Sequence, residues 1–590
     1  MTLADGPFIL CEDGRGGVSA RLFVRPVEVV RADATDEVAG ALERIAAAAG
    51  RGLHAAGFLS YEAGYALEPR LHALGEGRKG DLPLVWFGLF EAVEVLDEAG
   101  IAARLPDARG AFAGVPEPLL RREAYEAGVE DIARLIAAGE VYQANLTFQN
   151  RVRVAGHPLA LYAGLRARAR AGWGGIVFTG EHWLLSASPE LFFTLEAGRL
   201  TARPMKGTAT RGEDAAADAT AKATLGADPK NRAENLMIVD LTRNDMSRVS
   251  APGSVTVPTL FAVETYPTVH HLTSTVESRL APGLGPVDVL RAMFPCGSIT
   301  GAPKIRAMEA IAGIERTARG AYTGSMGWIA PDGDAAFNVA IRTLTMPDGG
   351  GEAVLGLGAG IVADSRPADE WRECIAKGAF VGAGARRFDL IETMRFDPDE
   401  GIVDLDRHLA RLGASAAALG FACNRHDVRN ALHAATFRLH DARVVRLRLA
   451  PSGTIAIGVA ALPTAPLTPV PVVLAPLPVS RHDFRLRHKT SDRGFYDDAR
   501  IAGGGFETVF VDADGFVTEG SFTSVFVGDA DGWRTPPLER GLLPGILRAR
   551  LIAEGRASEA ELRVEDLCEG FWIGNAVRGL ISARLIDGDQ

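Results

Sequence analysis

The strongest constraint on the fold lies at residues 378–394, GAFVGAGARRFDLIETM, where one kind of pattern ends and another starts. Upstream, WRECIAKGAFVGA carries helical spacing. Downstream, FDLIETM reads as the opening of a strand, and small residues with Arg386-Arg387 lie between them. A hinge at 385–388 would divide the 590 residues into parts 1–385 and 386–590, each long enough for a core of its own.

Both parts read as α+β. The first alternates short β-rich runs (GIVFTG, GSMGWI, FNVAIRTL, LGLGAGIV) with amphipathic helices. In one of these, residues 122–138, Tyr125, Val129, Ile132 and Ile136 share a face and Gly139 ends the run. The second shows strands paired about turns, MRFDPDEGIVDL and ETVFVDADGFVTEG, with Asp514-Gly515 as the hairpin signal, then a helix after LLPG and a strand around GLISARL. Lys+Arg is 63 against Asp+Glu 74, a formal charge of −11, which argues against a partner bound through nucleic-acid phosphates. No run approaches the roughly 20 apolar residues that span a bilayer, and no basic segment precedes an apolar one at the N-terminus. The 5 cysteines are odd in number, scattered and without CxxC spacing, which fits a reducing compartment rather than disulfides or structural zinc. The expectation is a cytoplasmic enzyme.

Lysine is scarce. Arginine supplies most of the positive charge, and the lysines are only Lys79, Lys206, Lys222, Lys230, Lys304, Lys377 and Lys489. An amine can lose its proton and act as a nucleophile where a guanidinium cannot, so each survivor is a candidate, although several could be plain surface charges. Four segments of the first part set ionisable residues beside Pro and Gly: SASPELFF with Glu190, RPMKGTATR with Lys206, ENLMIVDLTRND with Glu234, and GAGIVADSRPADEWRECIAK with Glu373 and Lys377. Blander readings stand beside these. Glu373–Lys377 at i, i+4 could be a solvated ion pair. Glu234 could be a helix-start carboxylate, and the Pro-Gly punctuation could be only a turn.

Together with GEVYQANLT, VETYPTVHHLTSTV, FPCGSITGAPKIRAMEAI, RGAYTGSMGWI and NVAIRTL, in this order, the segments resemble the chorismate-utilising enzymes over nearly the whole first part. FLSYEAGYALEP (58–69) and Lys206, where anthranilate-forming members carry alanine, resemble the aminodeoxychorismate synthase component I branch. The resemblance implies a chorismate-binding, sandwich-like α/β domain. It implies Lys206 as ring nucleophile and Glu190 as general acid, and Glu234 and Glu373 as ligands of Mg²⁺. Substrate contacts would come from His271, Arg342, Lys377 and the Thr323-Gly324 backbone, with a packed core histidine as the alternative for His271. Ammonia would come from a separate glutamine amidotransferase, because no cysteine here has the context of a glutaminase nucleophile; Cys296 reads as a packed thiol.

In the second part Lys489 is the single lysine, in RLRHKTSDRGFYDDAR. Glu519 follows the hairpin, and LLPGILRARL places a Pro-Gly turn at the start of a helix, whose free N–H groups suit a phosphate. FDLIETM, LDRHLARL, HKTSDR, VTEGSFTSVF, GLLPGILR and NAVRGL resemble, in order, the fold-type IV pyridoxal-phosphate family, which includes aminodeoxychorismate lyase and the branched-chain and D-amino-acid aminotransferases. The resemblance implies Lys489 as the cofactor lysine, Glu519 as partner of the pyridine nitrogen, and Arg411 with the Gly545, Ile546 and Leu547 amides as the phosphate site. Ser524, Leu547 and Ala576 depart from the residues common in that family. Taken together, a fused synthase and lyase making 4-aminobenzoate for folate synthesis is expected, with a homodimer through the second part left open. Two alternatives remain: an anthranilate or isochorismate synthase fused to an amino-acid aminotransferase, and a synthase carrying a non-catalytic interaction domain.

Overall fold

The computed structural model describes all residues except 1–5, 15–16, 79, 266–268, 384–385, 530–531 and 587–590. Lys79 and the first residue of the expected hinge therefore lie outside the described residues. The chain forms two compact units: Met1–Leu105, Val115–Val152 and Tyr162–Ala383 make the first, and Pro106–Gly114, Arg153–Leu161 and Gly384–Gln590 the second. Two short segments that the linear reading assigned to the first part thus fold with the second. The reason is aromatic packing: Phe112 sits edge-on to Phe388, centroids 5.9 Å apart, and 6.0 Å from Phe484, joining the apolar cluster of the second unit.

The first unit is built on two antiparallel sheets. One runs, edge to edge, Gly301–Ala302, Gln143–Ala155, Glu352–Ile361, Thr343–Pro347, His182–Ser186, Gly175–Phe178, Phe8–Asp13, Ser19–Val24 and Glu94–Asp97. The other runs Met205–Thr210, Val269–Arg279, Arg199–Ala202, Leu191–Glu196, Ala335–Asn338, Ser325–Ile329, His54–Leu59, Val85–Phe90 and Glu28–Ala32. Their inner faces share a core in which Ile9, Phe23, Val177 and Leu184 of the first meet Phe58, Trp86, Phe90 and Met326 of the second. The opposite face of the second sheet is covered by helices Val38–Gly50, Pro286–Met293 and Lys304–Ile314. This is the sandwich the resemblance implied.

The expected amphipathic helix forms as Arg122–Ala137, burying Tyr125, Val129 and Ile132, and the chain leaves it through Gly139 at φ +74°. Glu234 does not start a helix. Helix Pro229–Ser247 begins a turn earlier, where Asp228 accepts from the Asn231 amide and proline occupies the first position, so Glu234 lies within the helix body.

In the second unit a four-stranded sheet packs with helices Leu405–Leu419 and Arg425–Thr436, and an eight-stranded sheet has its own core around Val472, Val509, Val525 and Ile573. The predicted hairpin is present: Glu507–Val511 pairs with Val517–Gly520, and Gly515 takes φ +84° at the turn. Among the described residues no helix is long and apolar enough to cross a membrane.

Candidate active sites

Two places where the chain of the first unit crosses from one sheet to the other lie side by side. Ser188–Glu190 links His182–Ser186 to Leu191–Glu196, and Val339–Arg342 links Ala335–Asn338 to Thr343–Pro347. They are stitched by Val339 N–H to Glu190 O (3.1 Å) and Ala187 N–H to Arg342 O (3.0 Å). Arg342 holds a left-handed φ of 50° there, strain of the kind that collects at functional sites. The Glu190 carboxyl is buried, one of its oxygens has no hydrogen-bond partner, and burial pushes its pKa up to about 7 against the pull of Ser298 and Lys206. A carboxyl still protonated near neutrality can donate that proton.

Lys206 sits on a register slip. Met205 pairs with Thr273 but Thr208 with His271, so Lys206 and Gly207 fall in the irregularity, with Gly207 at φ +88°. Such bulges re-aim a side chain. The amine is aimed at Gly360, where an added Cβ would lie 2.9 Å from both Lys206 Nζ and Gln143 Nε2. Burial draws its pKa below the usual lysine range; Glu234 opposes this, Lys377 adds to it, and Glu190 and Glu373 oppose it more weakly. Four of the charged residues singled out from sequence therefore act on one amine.

His271 is buried opposite Thr208, whose hydroxyl lies 2.9 Å from its Nδ1. Burial and the nearby Arg342 push its pKa down to about 4, so it stands in this site as a neutral imidazole. Glu373 and Lys377 do form the ion pair, at 2.7 Å, while Lys377 also donates to Gly358 O at 3.0 Å. Burial raises the Glu373 carboxyl, but Lys377, Lys206 and Lys230 outweigh it and hold it low.

One expectation is corrected. The Thr323 amide donates to Ala340 O (2.9 Å) and the Gly324 amide to Ala321 O (3.0 Å). These N–H groups are spent inside the fold and are not offered to a substrate carboxylate. Glycine is needed at 324 because a Cβ would lie 2.1 Å from Leu59 O.

Two residues of this site were not assigned from sequence. Gln143 is fully buried, and neither atom of its side-chain amide has a partner; the strand QANLTF mixes polar and apolar residues and carries no local signal that singles it out. Glu370, one helical turn before Glu373, has its carboxyl raised by burial and by Glu373. Among the described residues no group of three His, Cys, Asp or Glu side chains forms a ready metal cage. Glu370 and Glu373 stand three residues apart on helix Pro367–Gly378, and Mg²⁺ commonly binds through one or two protein carboxylates and completes its shell with water and substrate oxygens. The like-charge repulsion between Glu370 and Glu373 is what such a cation would relieve.

The second unit holds a cavity of about 1010 Å³ lined by Arg411, Lys489, Glu519, Gly545, Ile546 and Leu547 among others. Every residue assigned to this half from sequence thus lines one cavity. Burial, with Arg493 and Arg411, pushes the Lys489 amine down to about 7. Burial pushes Glu519 up to about 7, and it accepts from the Tyr496 hydroxyl and from the Leu543 amide at 3.1 Å.

Arg411 is more committed than expected. Its Nε and Nη2 clasp Glu392 at 2.8 and 2.6 Å, and Nη1 reaches Pro544 O at 2.9 Å, leaving two of its five N–H bonds for a ligand. The buried His408, 2.6 Å from Glu392, completes this group and was not foreseen. Helix Ile546–Ala553 opens on Gly545, so its first amides lack intrahelical acceptors. The Leu547 side chain turns into an apolar cluster with Phe526, Trp533 and Leu551, so only its amide can serve the cavity. Ser524 and Ala576 line the cavity. An amine titrating near neutrality, a buried carboxyl and a helix start beside a guanidinium are the donor set pyridoxal phosphate requires.

The chain belongs to the chorismate binding enzymes, whose family model matches residues 7–382. A second model, amino-transferase class IV, matches residues 389–586 and implies pyridoxal phosphate there. The chain is 44% identical over 258 residues to aminodeoxychorismate synthase component 1 of Klebsiella aerogenes, covering 44% of this chain and 57% of that one. It is 42% identical over 253 residues to anthranilate synthase component 1 of Streptomyces coelicolor, covering 43% and 49%. The chain thus spans only about half the length of these two relatives. Among solved structures, anthranilate synthase component I from Streptococcus pneumoniae TIGR4 superposes with a TM-score of 0.54 at 27% identity, covering 62% of this chain and 92% of that one. The chain is therefore a chorismate-binding enzyme joined to a class IV aminotransferase fold.

Proposed function

We propose that the first unit converts chorismate and ammonia to 4-amino-4-deoxychorismate and that the second releases pyruvate from it to give 4-aminobenzoate, a folate precursor. The observation that carries the first step is the partly desolvated Lys206 amine among Glu190, Glu234, Glu373 and Lys377. Depressed by burial, the amine can add to the chorismate ring while Glu190 protonates the departing hydroxyl, which leaves as water. Ammonia then enters at C4 and the Lys206 nitrogen leaves as a free amine. Arg342 and Lys377 would receive substrate carboxylates. Glu234 and Glu373, with Glu370 beside them, would hold Mg²⁺, which would neutralise the ring carboxylate. Ammonia would come from a separate glutamine amidotransferase, as the name of the component 1 relative suggests.

In the second unit Lys489, Glu519, Arg411 and the amides at Gly545–Leu547 would hold pyridoxal phosphate, which supplies an electron sink for the carbon that loses its proton. Lys489, near its own titration point at neutral pH, would take the C4 proton of the substrate ring. Arg446 lines the same cavity and suits a substrate carboxylate, while Arg448 on the same strand is held by Asp389 through Nε and Nη2 at 2.9 and 2.7 Å.

The relationship to anthranilate synthase keeps a second reading alive for the first unit, and Lys206 is the residue that disfavours it. The test is direct. Full-length protein with chorismate, Mg²⁺, ammonium and pyridoxal phosphate should yield 4-aminobenzoate and pyruvate in equal amounts. Anthranilate as the product, or an amine product only when a keto acid is added, would overturn the proposal.

A further inference from the structure

Glu507 opens strand Glu507–Val511 and is fully buried, yet it is not among the residues lining the second cavity; it stands behind the wall. Its two carboxylate oxygens accept from three amides and two hydroxyls. Oε1 receives Thr508 N–H (2.8 Å), Ser521 N–H (3.0 Å) and Ser521 Oγ (2.5 Å). Oε2 receives Phe522 N–H (3.2 Å) and Thr523 Oγ1 (2.8 Å). All but the Thr508 amide belong to the turn that directly follows Glu519, and Gly520 through Ser524 line the cavity.

The approach is close. A Cβ at Gly520 would lie 2.3 Å from Thr523 Oγ1 and 2.7 Å from Glu507 Oε2, so the clamp requires glycine at that point. The Ser521 carbonyl in turn accepts from Arg493 Nη2 at 2.8 Å, and Arg493 is the leading charge among those that depress Lys489. Apolar packing could hold a turn without the expense of burying a carboxylate. A carboxylate ringed by donors instead orients the Ser521 and Phe522 amides and the Ser521 and Thr523 hydroxyls, while the Ser521 amide also reaches Thr508 O and the Gly520 amide closes on Thr523 O.

We infer that Glu507 is a positioning residue of the second site, fixing the turn that carries Glu519 at one end and anchors Arg493 at the other. This rests on the reading of Glu519 as partner of the pyridine nitrogen. In Glu507→Gln the amide NH2 would face donors. Titrating the full-length variant with pyridoxal phosphate should show Kd weakened at least tenfold. The absorbance maximum of the bound cofactor should move in the same direction as in Glu519→Gln, with chorismate consumption by the first unit unchanged.

An unaltered Kd and spectrum in Glu507→Gln overturns the inference, even if its melting temperature falls, because that is the signature of a merely structural role. If Glu519→Gln itself leaves the spectrum unmoved, the reading of Glu519 fails and the inference falls with it. If Glu507→Gln does not fold, the pair Ser521→Ala and Thr523→Val decides. Removing both hydroxyl donors should weaken Kd at least threefold and shift the spectrum, and no change in either overturns the inference.

Discussion

Lys206 and Glu190 are opposite uses of the same physics. Burial disfavours the charged form of each, so the amine is driven toward its nucleophilic state and the carboxyl toward its proton-donating state. The proposed chemistry then has a defined pH shape. Turnover of the first unit should fall as pH rises through about 7, where Glu190 loses its proton, and should fall on the acid side as Lys206 gains one. A kcat profile of chorismate consumption measures both limbs. Glu190→Gln should cost roughly 10²–10⁴ in kcat and erase the alkaline limb, and an unchanged alkaline limb in that variant assigns it to another group. Lys206→Ala should abolish aminodeoxychorismate formation while the residues proposed for metal and carboxylate binding stay intact. Wild-type yields of 4-aminobenzoate from Lys206→Ala would remove the covalent role. Both residues could be named from the sequence because a scarce lysine and a Ser-Pro-Glu turn are local features. Gln143 could not, since a glutamine becomes unusual only when the fold buries its amide without a partner.

At the scale of elements, helix Pro367–Gly378 presents Glu370, Glu373 and Lys377 at spacings of three and four, and packs on strand Glu352–Ile361 of the first sheet. The Glu373–Lys377 pair would have to open for Glu373 to reach a metal. Glu373→Gln should therefore lose activation by Mg²⁺ in the first unit and leave the second unit's cofactor spectrum as it was; a Mg²⁺ activation curve matching wild type would exclude Glu373 as a ligand. The segment at Thr323-Gly324 shows the limit of carrying a role over by motif. Its amides close hydrogen bonds to Ala340 and Ala321, and its glycine is dictated by a neighbouring strand. Gly324→Ala should destabilise the protein by at least about 1–3 kcal/mol through overpacking, read as a fall in denaturation midpoint at constant m-value. No loss of stability would mean that the carbonyl of Leu59 can retreat.

For the whole molecule, two compact units carry two sites made of different residues, so each should be removable without the other. Lys489→Ala deletes the only lysine after residue 377. Given chorismate, Mg²⁺ and ammonium, this variant should consume chorismate, accumulate aminodeoxychorismate and release almost no pyruvate, and an added lyase should restore 4-aminobenzoate. Rapid pyruvate release without that addition would sink the assignment of Lys489. The sequence by itself determined the succession of two α+β parts, the helix over Arg122–Ala137, the Asp514-Gly515 hairpin and which lysines could matter. These rest on periodicity, turn chemistry and residue scarcity, all of which act within a few residues. Tertiary structure alone decided that segments 106–114 and 153–161 fold with the second unit, that the Arg411 fork closes on Glu392, and that Glu507 grips the turn after Glu519. Each is a contact across long sequence separation. A buried polar group takes whatever partner the packing brings to it, and no local pattern records which partner that will be.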